Sequence, residues 1–330
     1  MIDTVSEKIL SVKNLTVKYI SREVGTCNAV NDVSFDVAKG ETVGLVGETG
    51  AGKTTIALSI MRLLQTPPAR ITSGEVIFGG EDIFKMPESK LRKVRGGRIS
   101  MIFQDPMTAL NPIDRVGDQI SEMVRLHLKM NKLAATEKAA EMLEMVGIPS
   151  TRFSDYPHQF SGGMKQRVII AIALACKPEL LLADEPTTAL DVTIQAQVLN
   201  MMKELKNELG TSMVLITHDL GVVAETCDRV AVVYAGEIVE IGTADVVFEK
   251  RSHPYTTGLF NSLPDITGDR KRLTPIVGLM PDPTALPKGC KFSPRCPLCD
   301  ETCMGEPIEL RLESGTHYVR CHKANVNQGI

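Results

Sequence analysis

The run Gly47-Glu48-Thr49-Gly50-Ala51-Gly52-Lys53-Thr54, with Thr55 behind it, has the residue types and spacing to hold a row of phosphates. It follows a short apolar strand signal, "TVGLV", and leads into a helix-forming segment, the setting that G-x-x-x-x-G-K-T requires. Glycines let such a loop turn successive N–H groups inward as a nest for phosphate oxygens. The helix that follows adds the positive end of its dipole. Lys53 can neutralise the outer phosphates, and the Thr54 hydroxyl can sit on Mg²⁺. A second segment, "PELLLADEPTTALD" (178–191), supplies acidic groups at the end of an apolar strand. Asp184 is suited to hold Mg²⁺ through water, and Glu185 to polarise an attacking water. Together the two segments predict hydrolysis or phosphoryl transfer on a nucleoside triphosphate.

The elements that position these groups must come from a large soluble core. The chain has 330 residues, 43% hydrophobic and 23% charged, which is ordinary for a globular protein. A net charge of −3 gives no electrostatic footprint for nucleic acid, and no nucleic-acid partner is expected. The N-terminus lacks the basic and apolar regions of a signal peptide. The longest apolar run, "VIIAIALAC" (168–176), is far short of the ~20 residues of a membrane span. A cytoplasmic protein is the expectation.

Further motifs narrow the class. "FSGGMKQRVIIAIAL" (160–174) precedes the acidic strand and resembles the signature of the ABC ATPases. Gln104 in "MIFQDP" resembles the family's Q-loop, Asp191 in "TALD" its D-loop, and His218 in "VLITHD" its switch histidine. Tyr19 in "LTVKYI" resembles the aromatic residue that stacks on adenine. The resemblance implies catalytic roles for Glu185, His218 and Gln104, with Gln104 also reaching Mg²⁺ beside Thr54 and Asp184. It implies two ATPase units facing head to tail, with ATP trapped between the cradle of one and Ser161, Gly162 and Gly163 of the other. Those three residues open an apolar helix, so their N–H groups and the helix dipole make an anion site without a basic side chain. Met164 stands where the family usually has Gln, which leaves the backbone donors intact.

Between Gln104 and the signature, Ile120, Met123, Val124, His127 and Leu128 recur at helical spacing, as do Ala135, Ala139, Met142 and Val146. They predict two amphipathic helices in an inserted helical subdomain of about 107–165. In the family this subdomain and the Q-loop meet a short helix of a membrane protein.

After "AVVYAGEIVEIGT" (231–243), a strand, a turn and a strand, the composition shifts. "SHPYTTGLFNSLPD" (252–265) resembles a segment of oligopeptide, dipeptide and nickel importer ATPases. The proline-rich "LTPIVGLMPDPTALPKG" reads as an extended connector. Cys290, Cys296, Cys299, Cys303 and Cys321 follow. Disulfides do not suit a reducing compartment. Zinc is open through Cys296-x-x-Cys299 with Cys303 or His317 nearby. An iron–sulfur cluster needs four thiolates, and the ferredoxin spacings do not match. Resemblance to peptide-importer ATPases implies a [4Fe-4S] cluster on Cys290, Cys296, Cys303 and Cys321, with Cys299 left over.

The fold expected is α/β. It is a P-loop NTPase of ABC ATPase type with a mainly parallel sheet, an antiparallel β edge, the inserted helical subdomain and a small C-terminal cysteine-rich metal-binding appendage. A nucleotide-binding domain is expected over 1–250 and the extension over 251–330. The function implied is the ATPase subunit of a di- or oligopeptide importer, with a nickel importer as the alternative. Its implied partners are a related second ATPase chain, two transmembrane permease subunits and an external substrate-binding protein, at the cytoplasmic face of the membrane. A non-transport ABC ATPase would carry coiled-coil insertions or two cradles, and neither is present. A P-loop kinase would leave the SGG segment and His218 without a role.

Overall fold

A computed structural model describes residues 7–23, 25–188, 190–262 and 275–324. Ala189 of "TALD" lies outside the described residues, as do 263–265 and 273–274 of the two tail segments quoted above. In chain order the elements begin β1 (Lys8–Ser21), β2 (Gly25–Ala38), β3 (Thr42–Val46), α1 (Lys53–Ile60), β4 (Ala69–Phe78), β5 (Glu81–Asp82), α2 (Glu88–Val94) and β6 (Ile99–Ile102). Next come α3 (Pro106–Ala109), α4 (Val116–Leu128), α5 (Lys132–Met145), α6 (Gly162–Leu174), β7 (Leu180–Asp184), α7 (Val192–Leu209), β8 (Ser212–Thr217) and α8 (Leu220–Thr226). The last are β9 (Arg229–Tyr234), β10 (Glu237–Thr243), α9 (Ala244–Glu249), α10 (Pro254–Asn261), α11 (Glu301–Met304), β11 (Arg311–Ser314) and β12 (His317–Val319). Among the described residues no helix is long and apolar enough to cross a membrane.

The chain divides into two compact units, neither continuous in sequence. The first is built mainly from Ile77–Ile216. In it β6, β7 and β8 run parallel, with Ile99 opposite Leu180 and Leu180 opposite Ser212. Every residue of these three strands is buried. Near-continuous apolar runs are what a parallel sheet covered on both faces requires. The two expected helices are α4 and α5. Asn131 caps α5 by accepting from the Ala134 N–H at 2.9 Å, and the helices bury Ile120 and Val124 on one side and Ala135, Ala139 and Met142 on the other. Leu128 departs from the expected stripe. It ends α4, where Lys129 turns into the left-handed region at φ 55°, and it is 40% exposed.

The second unit holds Ser11–Phe35, Val43–Val76 and Thr217 onward. Here β3 pairs parallel with β9, Val43 opposite Arg229, and β9 returns as β10 through Ala235 and Gly236 at φ 46° and 82°. Two left-handed residues make the turn whose twist matches an antiparallel hairpin. The tail does not stand apart as an appendage. β12 adds to the edge of β10, with Glu240 opposite Val319, and β11 adds to β12. An open strand edge is a row of unpaired N–H and C=O groups, and the tail satisfies this one. A fully buried carboxylate fixes the junction: Glu240 accepts from the Ser252 N–H at 2.9 Å, the His253 N–H at 3.0 Å and His317 Nε2 at 2.8 Å.

Candidate active site

In the second unit the loop from β3 to α1 has the form that its glycines allow. A Cβ on Gly47 would lie 2.1 Å from the Val233 carbonyl oxygen, and one on Gly52, at φ 102°, would lie 2.4 Å from that of Ala29. Any side chain at either position would push the loop off the sheet. Lys53 opens α1 and is buried, its Nζ donating to the carbonyls of Gly47 at 2.8 Å and Glu48 at 3.0 Å. The ammonium therefore sits within the loop's concavity. Thr54 follows Lys53 in the first turn of α1, and Thr55 Oγ1 lies 3.3 Å from the Tyr19 hydroxyl of β1. That contact brings the expected adenine platform to the helix that carries the cradle. One donor differs from the sequence expectation: the Glu48 N–H does not face inward but donates to the Tyr255 hydroxyl at 3.0 Å. His218 is the exposed residue just after β8, and Asp219 behind it caps α8 by accepting from the Gly221 N–H at 2.9 Å.

In the first unit Asp184 ends β7 fully within the fold, and Glu185 turns out of the strand at φ 45°. A non-glycine residue in the left-handed region is strained by an amount on the order of 1 kcal/mol, and such strain gathers at functional sites. The turn is held by the Glu185 N–H donating to Ile216 at 2.8 Å and by the Thr188 N–H donating back to Glu185 at 3.1 Å. The Glu185 carboxylate is aimed by two donors on one oxygen: Gln104 Nε2 at 3.0 Å and Thr188 Oγ1 at 3.0 Å both reach Oε2. The two sequence-predicted catalytic groups Gln104 and Glu185 thus meet across 81 positions. The sequence motifs give the Thr188 hydroxyl no role, although its place in "EPTTALD" three residues past Glu185 suits an ST-type turn contact.

The signature also forms as read. Ser161 is the N-cap of α6, its Oγ accepting from the Met164 N–H at 3.4 Å, and Gly162 and Gly163 fill the first turn. A Cβ on Gly163 would come within 2.6 Å of Ile194 Cγ2 in α7. Met164 has its own partner, the Arg152 guanidinium at 3.4 Å from Sδ, and Arg152 in turn lies over the Phe160 ring at 4.2 Å. Asp191 occupies the N-cap position of α7, exposed.

In the tail, Cys290, Cys296, Cys303 and Cys321 line one small cavity together with His253. Cys299 is not part of that lining; its thiol points to the Asp300 carbonyl at 3.7 Å. Burial pushes the Cys290 thiol up to about 12 and Cys296 up to about 11, and raises Cys321 as well. Among the described residues, no group of three or more His, Cys, Asp or Glu side chains is arranged to hold a metal ion. The expected metal site is therefore present as a gathering of thiols and not as a formed ligand set. His253 completes the cavity. It is fully buried and held neutral, burial pushing its pKa down to about 4. Its Nδ1 accepts from the Tyr255 N–H at 3.0 Å, so Nε2 carries the proton. That Nε2 has no hydrogen-bond partner among the described residues. Leaving such a donor unmatched costs about 1–3 kcal/mol.

Comparison with known proteins agrees with this geometry. Residues 30–188 match the family described as ABC transporter, and residues 239–303 that described as oligopeptide/dipeptide transporter, C-terminal region. The dipeptide transport ATP-binding protein DppD of Bacillus subtilis is 50% identical over 321 residues, covering 96% of this chain and 94% of that protein. The oligopeptide transport ATP-binding protein OppD of Escherichia coli is 48% identical over 304 residues, covering 92% and 89%. Among solved structures, a dimeric ATP-binding cassette in a post-hydrolysis state bound to ADP and Pi superimposes with a TM-score of 0.64 at 29% identity, covering 71% of this chain and 98% of that one. With its cradle, its aimed glutamate and its signature helix, the chain belongs to the ATP-hydrolysing, ATP-binding subunits of the ABC transporters of the oligopeptide/dipeptide type.

Proposed function

We propose that this ATPase powers uptake of di- or oligopeptides, working as one of a pair of related ATPase chains beneath two membrane-spanning permease subunits fed by an external binding protein. The observation that carries the reading is the pairing of an aimed hydrolytic carboxylate, Glu185 held by Gln104 and Thr188, with a C-terminal region of the peptide-transporter type. The dimeric state of the solved cassette supports the paired arrangement. The cradle from Gly47 to Thr55 takes the phosphates and Tyr19 the base. Ser161, Gly162, Gly163 and Asp191 serve the nucleotide held by the other chain. Thr54, Asp184 and Gln104 are the residues that would hold Mg²⁺, which when bound neutralises phosphate charge. Glu185 takes the proton of the attacking water, and His218 faces the terminal phosphate. Large apolar side chains exposed at Phe103, Ile113, Leu126 and Leu133 fall between the Gln104 loop and α5, and support a contact with the membrane subunits at the cytoplasmic face.

For the tail, we assign Cys290, Cys296, Cys303 and Cys321 to a [4Fe-4S] cluster. A cubane takes one thiolate at each iron, so its ligands surround a volume instead of meeting at a point. Four thiols around a shared cavity suit that demand better than they suit a zinc ion, whose ligands lie about 2.3 Å from one centre. The partnerless N–H of His253 also suits a sulfur-rich occupant, because it gains an acceptor.

Reconstitution with the permease subunits in vesicles tests the transport reading. Labelled dipeptide should accumulate with ATP and fail to do so with Glu185→Gln. Accumulation of nickel without peptide would move the protein to the alternative substrate class, and accumulation of neither would remove the importer reading.

A further inference from the structure

An acidic side chain in a phosphate-binding loop needs a reason. Glu48 is the second residue of the cradle, and an unneutralised carboxylate there would repel the anion that the loop exists to bind. The structure supplies the neutralising group from 247 positions away: Arg295 Nη1 donates to both carboxylate oxygens of Glu48, at 3.0 and 3.1 Å. The Arg295 side chain is only 6% exposed. Its remaining donors are also placed, Nε on the Val277 carbonyl at 3.2 Å and Nη2 on the Ile276 carbonyl at 3.5 Å, while Nη1 also lies 3.4 Å from the Tyr234 hydroxyl. A second handle comes from the same part of the chain, the Tyr255 hydroxyl that accepts the Glu48 N–H at 3.0 Å. Lys53 holds the Glu48 carbonyl from within. Phe292 packs against both tyrosines at 5.3 and 5.4 Å between ring centres, so the two handles share one aromatic wall.

We propose that Arg295 is a positioning residue for ATP binding, which neutralises and holds Glu48 so that the loop presents its backbone donors and Lys53 to the phosphates. The pair is only partly buried, the Glu48 side chain being 31% exposed, so it adds little net stability, and its use is to fix geometry and charge. The inference rests on the reading of the loop as an ATP site, and it does not depend on which metal orders the cysteines. Because Arg295 directly precedes Cys296, the order of the cysteine module sets where the guanidinium stands.

The test is steady-state hydrolysis of ATP by the full-length chain co-expressed with its transporter subunits. Losing one charged hydrogen-bonded contact should raise the KM for ATP about tenfold in Arg295→Met, with kcat little changed. Arg295→Lys should recover part of the loss. Adding Glu48→Gln to Arg295→Met should restore most of the affinity, since the repulsive charge is then gone. A merely structural role for Arg295 predicts no such suppression. An unchanged KM in Arg295→Met, or a double variant no better than the single one, overturns the proposal. If Arg295→Met does not fold, Tyr255→Phe takes its place: it keeps the ring and removes the acceptor of the Glu48 N–H. A raised KM at constant kcat supports the proposal, and an unchanged KM overturns it.

Discussion

The phosphate loop, and the cysteine cavity to which we assign a cluster, are specified in opposite ways. The loop is written in one unbroken stretch, and its working parts are mostly backbone, fixed by contacts such as Gly47 against Val233. The cavity gathers four side chains from positions 290 to 321, and depends on Glu240 and β12 to fold the tail back onto the sheet. A backbone site survives most side-chain changes around it, whereas a side-chain site fails with one substitution. The two meet through Glu48, Tyr255 and Arg295, so the robust site leans on the fragile one.

The largest effect should separate chemistry from binding within the first region. Glu185→Gln should lower turnover by roughly 10²-fold or more while ATP binding persists, because only the proton acceptor is lost. Unchanged hydrolysis would take Glu185 out of that role. Lys53→Ala should lose binding itself, read as the absence of saturation by nucleotide. In the second region, iron and sulfide content should collapse in Cys290→Ser and persist in Cys299→Ser, since Cys299 lies outside the cavity lining. Loss of metal in Cys299→Ser alone would replace the ligand set by one built on Cys296-x-x-Cys299. Glu240→Ala should cost about 3 kcal/mol or more, because three buried donors lose their acceptor at once. A denaturation midpoint equal to the parent's would show that the tail docks without it. The smallest effect on stability is Ser161→Ala, about 1 kcal/mol through the lost cap of α6, measurable as a lower denaturation midpoint of the nucleotide-free chain.

The contrast also explains what the sequence could reveal. The cradle, the signature helix and the strand ending in Asp184 are local patterns whose periodicity and glycine spacing survive without knowledge of the fold. The β9–β10 hairpin was equally visible as two apolar runs around Ala235-Gly236. The tail's return was not, because β12 is three residues long and its pairing with β10 is set by an edge seventy or more positions earlier. Arg295 shows the limit most clearly. In "SPRCP" it is one more arginine beside a cysteine, and its role exists only through contact with Glu48. Leu128 shows the reverse case, an apolar residue in helical register that the end of α4 leaves exposed.

The most direct test of the account is the ATP affinity of one anaerobic preparation of the full-length chain, measured before and after removal of the metal proposed at its cysteines, with iron and acid-labile sulfide counted in both states. The account predicts iron and sulfide near four each per chain before removal, and several-fold weaker ATP binding after it, as Arg295 loses its footing beside Cys296. Equal affinity in the two states would contradict the dependence of the phosphate loop on the cysteine module.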